Sequence, residues 1–367
     1  MTLSMGYLFE AERRFVPYEY QIENLGEGEV LVKMNVSTIC GSDLHTYLGH
    51  RTLPTPINLG HEGVGTVEEL GEGVKFDNVG NELSEGDTIL FLPYIWCNRC
   101  FYCLRGDRTN CQNRISIGSI PFNSKKPVPT GTFSEYIVLP RGTEFLKVKE
   151  KNPDFLALGP INCSLSTMIH AFSDRLPKVF GKSIAIIGAG ALGLYSAAIA
   201  NYSGAEKVIV VEKKKERLEL SKKFGATDTV DTTSMEIEEL HNAIIEIANG
   251  RGVDTIIDVS GYPPLAEEGI KSLDKEGTFL EVGTIFPAKI NNIQLDEFVK
   301  KGMKLSGMRT YEIRHLLEAY NFFRTMHDRY PFESITGKTF PYDSINEAFE
   351  VSKKGAYVRV GLTNQFV

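Results

Sequence analysis

The sequence predicts an α/β protein of two domains, the first rich in β-strands and the second built on a doubly wound parallel sheet. Its 367 residues exceed the usual size of one domain. Short strands separated by turn residues fill residues 1–155, whereas strands alternate with helices over residues 156–300. The alternation fades over residues 301–367, so we expect the end of the chain to return to the first domain.

The strands of the first domain are short apolar or alternating stretches. Four of them are EVLVKMNVST, GVGTVEELG, GDTILFLP and GTFSEYIVLP. Glycine, proline or asparagine occurs at or near their ends, and these residues favour turns. The pattern is typical of an all-β domain.

The second domain alternates apolar strands with helices. The strands are SIAII, KVIVV, DTIIDV and TFLEV, and the helical segments include KKERLELSKKFG and IEELHNAIIEIANG. Such strands are typical of a parallel sheet that helices cover on both faces. The uncharged window 183–205 is long enough to span a membrane, but its four glycines and β-branched first half favour a strand, a loop and a helix.

Beyond residue 300 the sequence predicts helices and a closing strand. EIRHLLEAYNFFRTMHDRY and SINEAFEVSKKG have helical patterns, and AYVRVGLTN reads as the last strand. We expect this part of the chain to complete the first domain.

Composition argues against nucleic acid and membrane partners. The formal net charge is −7, and lysine and arginine are scattered through the chain. The N-terminal stretch MTLSMGYLFEAERRF lacks the charged and apolar regions of a signal peptide. We therefore expect a cytoplasmic protein that acts on a small molecule, and in that compartment clustered cysteines bind metal more often than they form disulfides.

A glycine motif follows the strand SIAII. Gly188, Gly190 and Gly193 are spaced as G-x-G-x-x-G, with Ala191 and Leu192 between the last two. The first glycine permits a tight turn, the second lets the backbone approach a pyrophosphate, and the third allows close packing of helix on strand. The free N–H groups of the following helix would bind the phosphates.

An acidic residue makes this motif more specific for NAD. Glu212 ends the next strand, nineteen residues past Gly193. A carboxylate there accepts hydrogen bonds from a ribose diol and repels a 2′-phosphate, which favours NAD over NADP. The basic run 213–215 leaves NADP open. For further cofactor contacts we predict Arg217, Arg359 in the last strand and Val282 at the end of TFLEV.

Four of the six cysteines lie within fifteen residues. Cys97, Cys100, Cys103 and Cys111 can surround one ion with four thiolates. A site filled by four protein ligands leaves no position for a substrate, so it is structural. Zinc and an iron–sulfur cluster both fit this ligand set.

The other two cysteines lie far apart in the sequence. Cys40 opens CGSDLH, Cys163 lies in INCSLS, and His61 lies between them in GHEG. Two cysteines and one histidine form a three-ligand zinc set with an open fourth position, which is typical of catalytic zinc.

In this order the motifs resemble the zinc-dependent medium-chain dehydrogenase/reductase superfamily over essentially the whole chain. The resemblance implies a GroES-like, β-barrel-type catalytic domain, a Rossmann domain and a C-terminal return. It implies catalytic zinc at Cys40, His61 and Cys163, and structural zinc rather than iron–sulfur at the four-cysteine segment. It also implies two zinc ions per chain and a homo-oligomer, either a dimer or a tetramer.

The same resemblance gives roles to residues beside the ligands. Glu62 matches a carboxylate that approaches the metal, and Asp43 matches the group that orients the zinc-bound histidine. Ser42 matches a hydroxyl that accepts the alcohol proton, and His45 matches the next member of that proton relay. The implied reaction is transfer of a hydride from a primary or secondary alcohol to NAD.

The substrate is less well defined. CGSD resembles the polyol and threonine dehydrogenases, but many polyol enzymes have glutamate where Cys163 stands. TICGSDLHTYLGHR, CNRCFYCLRG, GTFSEYIVLPRGTE and INCSLSTMIHAF resemble alcohol dehydrogenases associated with phosphonate metabolism. A hydroxyalkyl phosphonate would need cationic partners such as Arg51, Arg309 or Arg314. The alternatives are a zinc-independent enone or quinone reductase of the same fold, and a non-catalytic NAD-binding sensor.

Overall fold

The computed structural model describes residues 2–10, 13–290 and 293–364, and the chain forms two compact units. The first unit comprises Met1–Cys163, Tyr311–Asn321 and Phe332–Val367. The second comprises Ser164–Thr310 and Phe322–Pro331.

The first unit extends further along the chain than the sequence predicted, to residue 163 instead of 155. Hydrogen bonds hold residues 156–163 against the rest of the first unit. One of them runs from Thr336 Oγ1 to Leu156 O at 2.9 Å. The second unit likewise runs to residue 310 instead of 300, because a sixth strand joins its sheet.

The N-terminal part of the first unit contains ten short strands and three short helices among the described residues. The strands are β1 Thr2–Glu10, β2 Arg14–Ile22, β3 Val30–Thr38, β4 Ile57–Asn58, β5 Gly63–Leu70, β6 Thr88–Phe91, β7 Tyr94–Ile95, β8 Ile115–Ser116, β9 Tyr136–Leu139 and β10 Phe145–Lys147. The helices are α1 Gly41–Tyr47, α2 Phe101–Leu104 and α3 Phe155–Leu158.

The second unit alternates strands and helices. The helices are α4 Ser166–His170, α5 Ala191–Tyr202, α6 Lys215–Lys223, α7 Leu240–Ile247, α8 Pro263–Lys271 and α9 Leu295–Lys301. The strands are β11 Ser183–Ile187, β12 Lys207–Glu212, β13 Asp228–Asp231, β14 Val253–Asp258, β15 Leu273–Glu281 and β16 Lys304–Gly307. The final elements of the chain are α10 Ile313–Met326, β17 Thr336–Pro341, α11 Ile345–Lys354 and β18 Arg359–Thr363.

Strand β3 organises the first unit. It pairs in antiparallel fashion with β5, β9 and β18 in a sheet of order β10-β6-β5-β3-β18-β17, with β9 beside β3. The register places Gly361 opposite Thr38. The last strand of the chain therefore lies beside the end of β3, next to the segment that begins at Cys40.

The sheet of the second unit has the strand order β13-β12-β11-β14-β15-β16, and all its described pairings are parallel. Numbered from β11, this is the order 3-2-1-4-5-6 of the Rossmann fold. Residues 184–187 of β11 are fully buried, as expected for the centre of such a sheet. The predicted fold class is confirmed.

The window 183–205 is not one spanning helix. It contains β11, the glycine turn and α5, as the sequence predicted. Among the described residues, one helical stretch, Phe155–Arg175, is long and apolar enough to cross a membrane. Most of it is buried inside the protein, as in the core helix of a globular fold.

Candidate active site

Cys40, His61 and Cys163 come together within the first unit. Cys40 Sγ lies 3.8 Å from Cys163 Sγ, and Cys163 Sγ lies 3.6 Å from His61 Nε2. The three ligand atoms all lie within 4.8 Å of one another. Residues separated by up to 123 positions thus form one cluster whose donors point at a common centre.

Helix α1 positions one side of this cluster. Cys40 is its N-cap residue, and Asp43 in its first turn accepts a hydrogen bond from the Cys40 backbone N–H at 3.0 Å. This is the carboxylate half of a capping box, in which an acidic side chain reaches back to the N-cap amide. The carboxylate is buried and therefore fixed in place.

The same carboxylate fixes the imidazole of His61. Asp43 Oδ1 lies 3.2 Å from His61 Nδ1. Nδ1 carries the proton in that pair, so the Nε2 lone pair faces the two cysteines. Burial lowers the pKa of His61, but the charge and hydrogen bond of Asp43, together with those of Cys40, raise that pKa well above its usual value.

The two thiols differ in acidity. The hydrogen bond from Cys163 lowers the pKa of Cys40 well below the usual thiol value, and the charge of Arg359 adds to this effect while burial opposes it. The pKa of Cys163 is raised by that same pairing and by burial. The cluster thus favours a thiolate at Cys40, the form that binds metal.

Glu62 and Arg359 form a buried ion pair beside the cluster. Arg359 Nε donates to Glu62 Oε1 at 2.7 Å, and Thr38 Oγ1 donates to the same oxygen at 2.5 Å. Glu62 is fully buried, and burial raises its pKa while Arg359 opposes the rise.

Arg359 also lies close to one of the cysteine ligands predicted from the sequence. Its Nη2 also lies 3.6 Å from Cys40 Sγ. The reason is the register of β18 with β3, which brings the start of the last strand to the cysteine–histidine cluster. The described contacts place Arg359 beside this cluster, and its contact with the cofactor stays a prediction.

The predicted relay residues lie on α1. Ser42 Oγ is 3.5 Å from His61 Nε2, at the edge of hydrogen-bond distance and on the metal-binding side of the ring. His45 Nδ1 lies 3.1 Å from Nδ1 of His50, an exposed residue that the sequence analysis did not single out. Burial, followed by the charge of His50, lowers the pKa of His45.

The four remaining cysteines form a second cluster. We call the segment 97–111 the cysteine lobe. Cys97, Cys100, Cys103 and Cys111 have all four sulfurs within 4.8 Å of one another, and none is in a disulfide. The Cys97 N–H points at Cys111 Sγ at 3.4 Å.

Backbone amides support the charge that four thiolates would carry. Asn98 has φ of 53°, a left-handed conformation that asparagine tolerates better than most residues. The backbone N–H of Arg99 is the largest of the effects that lower the pKa of Cys97 to about 6. The pKa of Cys103 shifts in the opposite direction, because burial and the neighbouring sulfurs raise it to about 12.

The glycine motif has the backbone geometry that its spacing predicted. Gly188 has φ of 104°, which L side chains rarely adopt. A Cβ on Gly193 would lie 1.9 Å from Gly188 O, so only glycine allows this helix-to-strand approach. A Cβ on Gly190 would meet no atom within 4 Å, which leaves open space for a ligand.

The N-terminus of α5 faces this space. Gly190 is its N-cap, and Leu194 is the first residue whose N–H bonds back to Gly190 O. The N–H groups of Ala191, Leu192 and Gly193 therefore have no partner within the helix. Such amides bind phosphate oxygens.

Glu212 is held beside the glycine turn. Its Oε2 accepts a hydrogen bond from Ala189 N at 3.1 Å, and its Oε1 accepts from Lys213 N at 2.8 Å and Lys214 N at 3.1 Å. Arg217 Nη1 lies 3.9 Å from Glu212 Oε2. The acidic residue and the predicted arginine thus belong to the same site as the glycines.

Val282 follows β15 at the carboxyl edge of the same sheet. Its N–H donates to Asp258 O, at the end of the neighbouring strand β14, at 3.0 Å. Ligands of doubly wound sheets bind outside the carboxyl ends of the strands. The position of Val282 is therefore compatible with the predicted cofactor contact.

Both cysteine clusters have the donor chemistry of zinc. Four thiols within 4.8 Å match a closed tetrahedral site, and two thiols with one imidazole match the three protein ligands of an open one. The hydrogen bond from His61 to Asp43 is the outer-sphere partner that zinc-bound histidines usually have. The residues present fit the metal.

Comparison with known proteins places the chain in a family. Residues 26–150 match the alcohol dehydrogenase GroES-like domain, and residues 191–325 match the zinc-binding dehydrogenase model. L-threonine 3-dehydrogenase of Pyrococcus furiosus is 32% identical over 346 residues, which is 92% of this chain and 91% of that protein. The chain belongs to the zinc-dependent, alcohol dehydrogenase-like superfamily of medium-chain dehydrogenases.

Two further relatives of this superfamily cover nearly the whole chain. 5-exo-Hydroxycamphor dehydrogenase of Pseudomonas putida is 27% identical over 361 residues, 98% of each chain. The crystal structure of an alcohol dehydrogenase from Thermotoga maritima has a TM-score of 0.90 and 30% identity, covering 99% of this chain and 100% of that one. The superfamily resemblance is confirmed, and the chain is an oxidoreductase of the alcohol dehydrogenase type.

Sequence reasoning also missed Asn162, a buried residue beside the site. Asn162 precedes Cys163, is fully buried and bonds to the backbone on both sides of Glu62. Its only signal in the sequence is its place beside a predicted ligand. The contacts that make it distinctive lie about a hundred residues away.

Proposed function

We propose that this protein is a zinc-dependent dehydrogenase that oxidises a primary or secondary alcohol to the aldehyde or ketone, with NAD as the hydride acceptor. The observation that carries the proposal is the convergence of Cys40, His61 and Cys163, with Asp43 fixing the imidazole. A three-ligand set leaves one coordination position for substrate oxygen.

The chemistry divides between groups that bind and groups that move a proton. Cys40, His61 and Cys163 would hold a zinc ion that lowers the pKa of a bound substrate oxygen by many units. The hydride, with both electrons of the C–H bond, would go to the nicotinamide, and the hydroxyl proton would leave separately. The products are a carbonyl compound, NADH and one proton.

The chain supplies a route for that proton. Ser42 Oγ lies 3.5 Å from His61 Nε2, on the metal-binding side of the ring. His45 is on the same helix, and its lowered pKa keeps it neutral and able to accept a proton near pH 7. His50 lies 3.1 Å further along and is exposed, so it connects His45 to solvent.

Glu62 and Arg359 adjust the charge around the thiolates. Two thiolates and a zinc ion would form a neutral unit, and the guanidinium beside Cys40 is balanced by the buried carboxylate. We assign this pair to fixing the electrostatics of the site rather than to proton transfer.

For the cofactor we propose NAD. The amides of Ala191, Leu192 and Gly193 would bind the pyrophosphate, and Glu212 would accept hydrogen bonds from a ribose diol. The side chains of Lys213, Lys214 and Lys215 are the feature that favours NADP. Assays with both cofactors separate the two outcomes.

We also propose that the cysteine lobe holds the second zinc ion and stabilises its segment. The protein would act on a small molecule in the cytoplasm as a homo-oligomer, either a dimer or a tetramer.

Polyols and hydroxyalkyl phosphonates are the substrate classes to test beyond simple alcohols. Arg314, one candidate partner for a phosphonate, lies 3.7 Å from Glu312, which leaves Arg51 and Arg309 as the better candidates.

The test is a screen of alcohols, polyols and hydroxyalkyl phosphonates for NADH and NADPH formation, together with metal analysis. The proposal predicts turnover with NAD and two zinc ions per chain. Turnover of enones without zinc would favour the zinc-independent reductase. Tight NAD binding without turnover of any alcohol would favour the sensor. Unchanged kcat/KM for a phosphonate after Arg51→Met and Arg309→Met would remove the phosphonate hypothesis.

A further inference from the structure

The side chain of Asn162 occupies a point where three separate parts of the first unit meet. Its Oδ1 accepts a hydrogen bond from Gly63 N at 3.0 Å. Its Nδ2 donates to His61 O at 3.3 Å and to Phe91 O at 3.1 Å. The side chain is fully buried, so these are bonds that water does not replace.

Two of these hydrogen bonds are made to the peptide groups on either side of Glu62. His61 O belongs to the peptide before Glu62, and Gly63 N belongs to the peptide after it. One planar amide therefore fixes the backbone from which His61 and Glu62 project their side chains. The third bond anchors the amide to the end of β6.

Asn162 is also the residue next to Cys163. The backbone O of Asn162 accepts a hydrogen bond from the hydroxyl of Tyr311, a fully buried tyrosine. Its side chain and its main chain are thus both held. A shift of Asn162 would move Cys163 and His61 relative to each other, across 102 residues of sequence.

We propose that Asn162 is a positioning residue that sets the separation of His61 and Cys163 and thereby raises the affinity of their site for zinc. This inference rests on the zinc site of the proposed function. It goes beyond that function, because no ligand or relay role is assigned to Asn162. Residues behind metal ligands commonly change metal affinity by 10–100-fold when mutated.

A matched control exists in the same unit. Asn58 is also buried, accepts from Gly131 N at 2.7 Å and donates to Tyr7 O at 3.3 Å and to Phe133 O at 3.5 Å. It makes similar bonds to backbone groups, accepts one more from Ser134 Oγ at 3.2 Å, and touches no predicted ligand. It lies three residues before His61, so it also controls for general loosening of that segment.

The experiment compares Asn162→Ala with Asn58→Ala in the full-length protein. Zinc affinity is measured by competition with a chromophoric chelator, and the site is also loaded with Co²⁺ for visible spectroscopy. Cobalt bands that disappear in Cys163→Ala identify the three-ligand site and separate it from the cysteine lobe. Turnover is not needed for either readout, so failure of the dehydrogenase proposal would be seen independently in the substrate screen.

We expect both variants to lose a similar amount of thermal stability, because each leaves buried backbone groups without partners. Only Asn162→Ala should weaken zinc binding at the three-ligand site, by about 10-fold or more, and shift its cobalt bands. Asn162→Asp keeps the acceptor for Gly63 N but loses the donor to His61 O, so it should also weaken zinc binding. Equal zinc affinities in Asn162→Ala and Asn58→Ala would overturn the inference.

Discussion

The two cysteine clusters of the first unit use the same side chain for different purposes. The cysteine lobe takes four ligands from fifteen consecutive residues, and backbone amides of those residues surround the sulfurs. The three-ligand site takes Cys40, His61 and Cys163 from three places in the sequence. Side chains surround it, some adjacent to the ligands in sequence and one distant: Asp43, Glu62, Asn162 and Arg359.

The two clusters differ because one is formed by a local loop and the other is assembled by the fold. A local loop can close four thiolates around an ion but leaves no position for another ligand. A site assembled by the fold can keep a position open, because the rest of the unit holds its three ligands in place. Burial and a charge network then adjust the acidity of each ligand. A dense cysteine motif therefore indicates a structural metal site. Ligands that are scattered in sequence and hydrogen-bonded to neighbouring side chains indicate a catalytic one.

The largest expected effect is on turnover at the three-ligand site. Cys163→Ala removes one zinc ligand, and the lost activation of the substrate oxygen is several kcal/mol, or about 10³-fold in kcat/KM. The melting temperature should change by only a few degrees, because the core strands are untouched. Steady-state kinetics and circular dichroism check both points. A variant that retains parental kcat/KM would place the chemistry elsewhere.

The cysteine lobe should behave in the opposite way. Cys100→Ala leaves three thiols, and the binding free energy of a structural zinc is folding free energy, so stability should fall by several kcal/mol. Thermal unfolding with and without a chelator measures this loss. The activity per folded molecule should stay within about threefold of the parent. A stable Cys100→Ala variant with abolished turnover would mean that the cysteine lobe is the catalytic cluster.

The third effect concerns the second unit. Glu212→Gln removes the charge that would hold the ribose diol, and a charge-assisted hydrogen bond contributes about 1.5–3 kcal/mol. We expect KM for NAD to rise about tenfold or more and KM for NADP to fall. Glu216→Gln, an exposed carboxylate in the first turn of α6, is the matched control. The same change in both variants would show a general charge effect instead.

The smallest effect should come from the relay. Burial and the charge of His50 lower the pKa of His45, so its neutral, proton-accepting form persists below the usual histidine pKa of about 6.5. Alcohol oxidation should lose rate as pH falls through that lowered pKa, when His45 becomes protonated. His45→Gln should lower kcat by about tenfold at pH 7 and remove this acidic limb.

The control for the relay is His327→Gln, which changes an exposed histidine near the end of α10. Its pH profile should match that of the parent. An acidic limb that survives in His45→Gln would mean that another group carries the proton.

Much of this organisation is legible in the sequence. The strands, the glycine motif and the four-cysteine set follow from local patterns and spacing, whereas the three-ligand set rests on its residue types and on the superfamily resemblance. The structure brings each set together. The ion pair of Arg359 with Glu62 cannot be predicted from spacing, because it depends on the register of β18 with β3. Asn162 is a second case, because its hydrogen bonds join backbone groups 71 to 101 residues away. The unit boundaries at residues 163 and 310 depend on the same kind of long-range packing.

The division of labour between the clusters is tested most directly by measuring zinc content and alcohol-dependent NADH formation together in the parent, Cys163→Ala and Cys100→Ala. The account predicts two zinc ions with turnover in the parent, one zinc ion without turnover in Cys163→Ala, and one zinc ion with turnover in folded Cys100→Ala. Turnover in Cys163→Ala at one zinc ion per chain would contradict it.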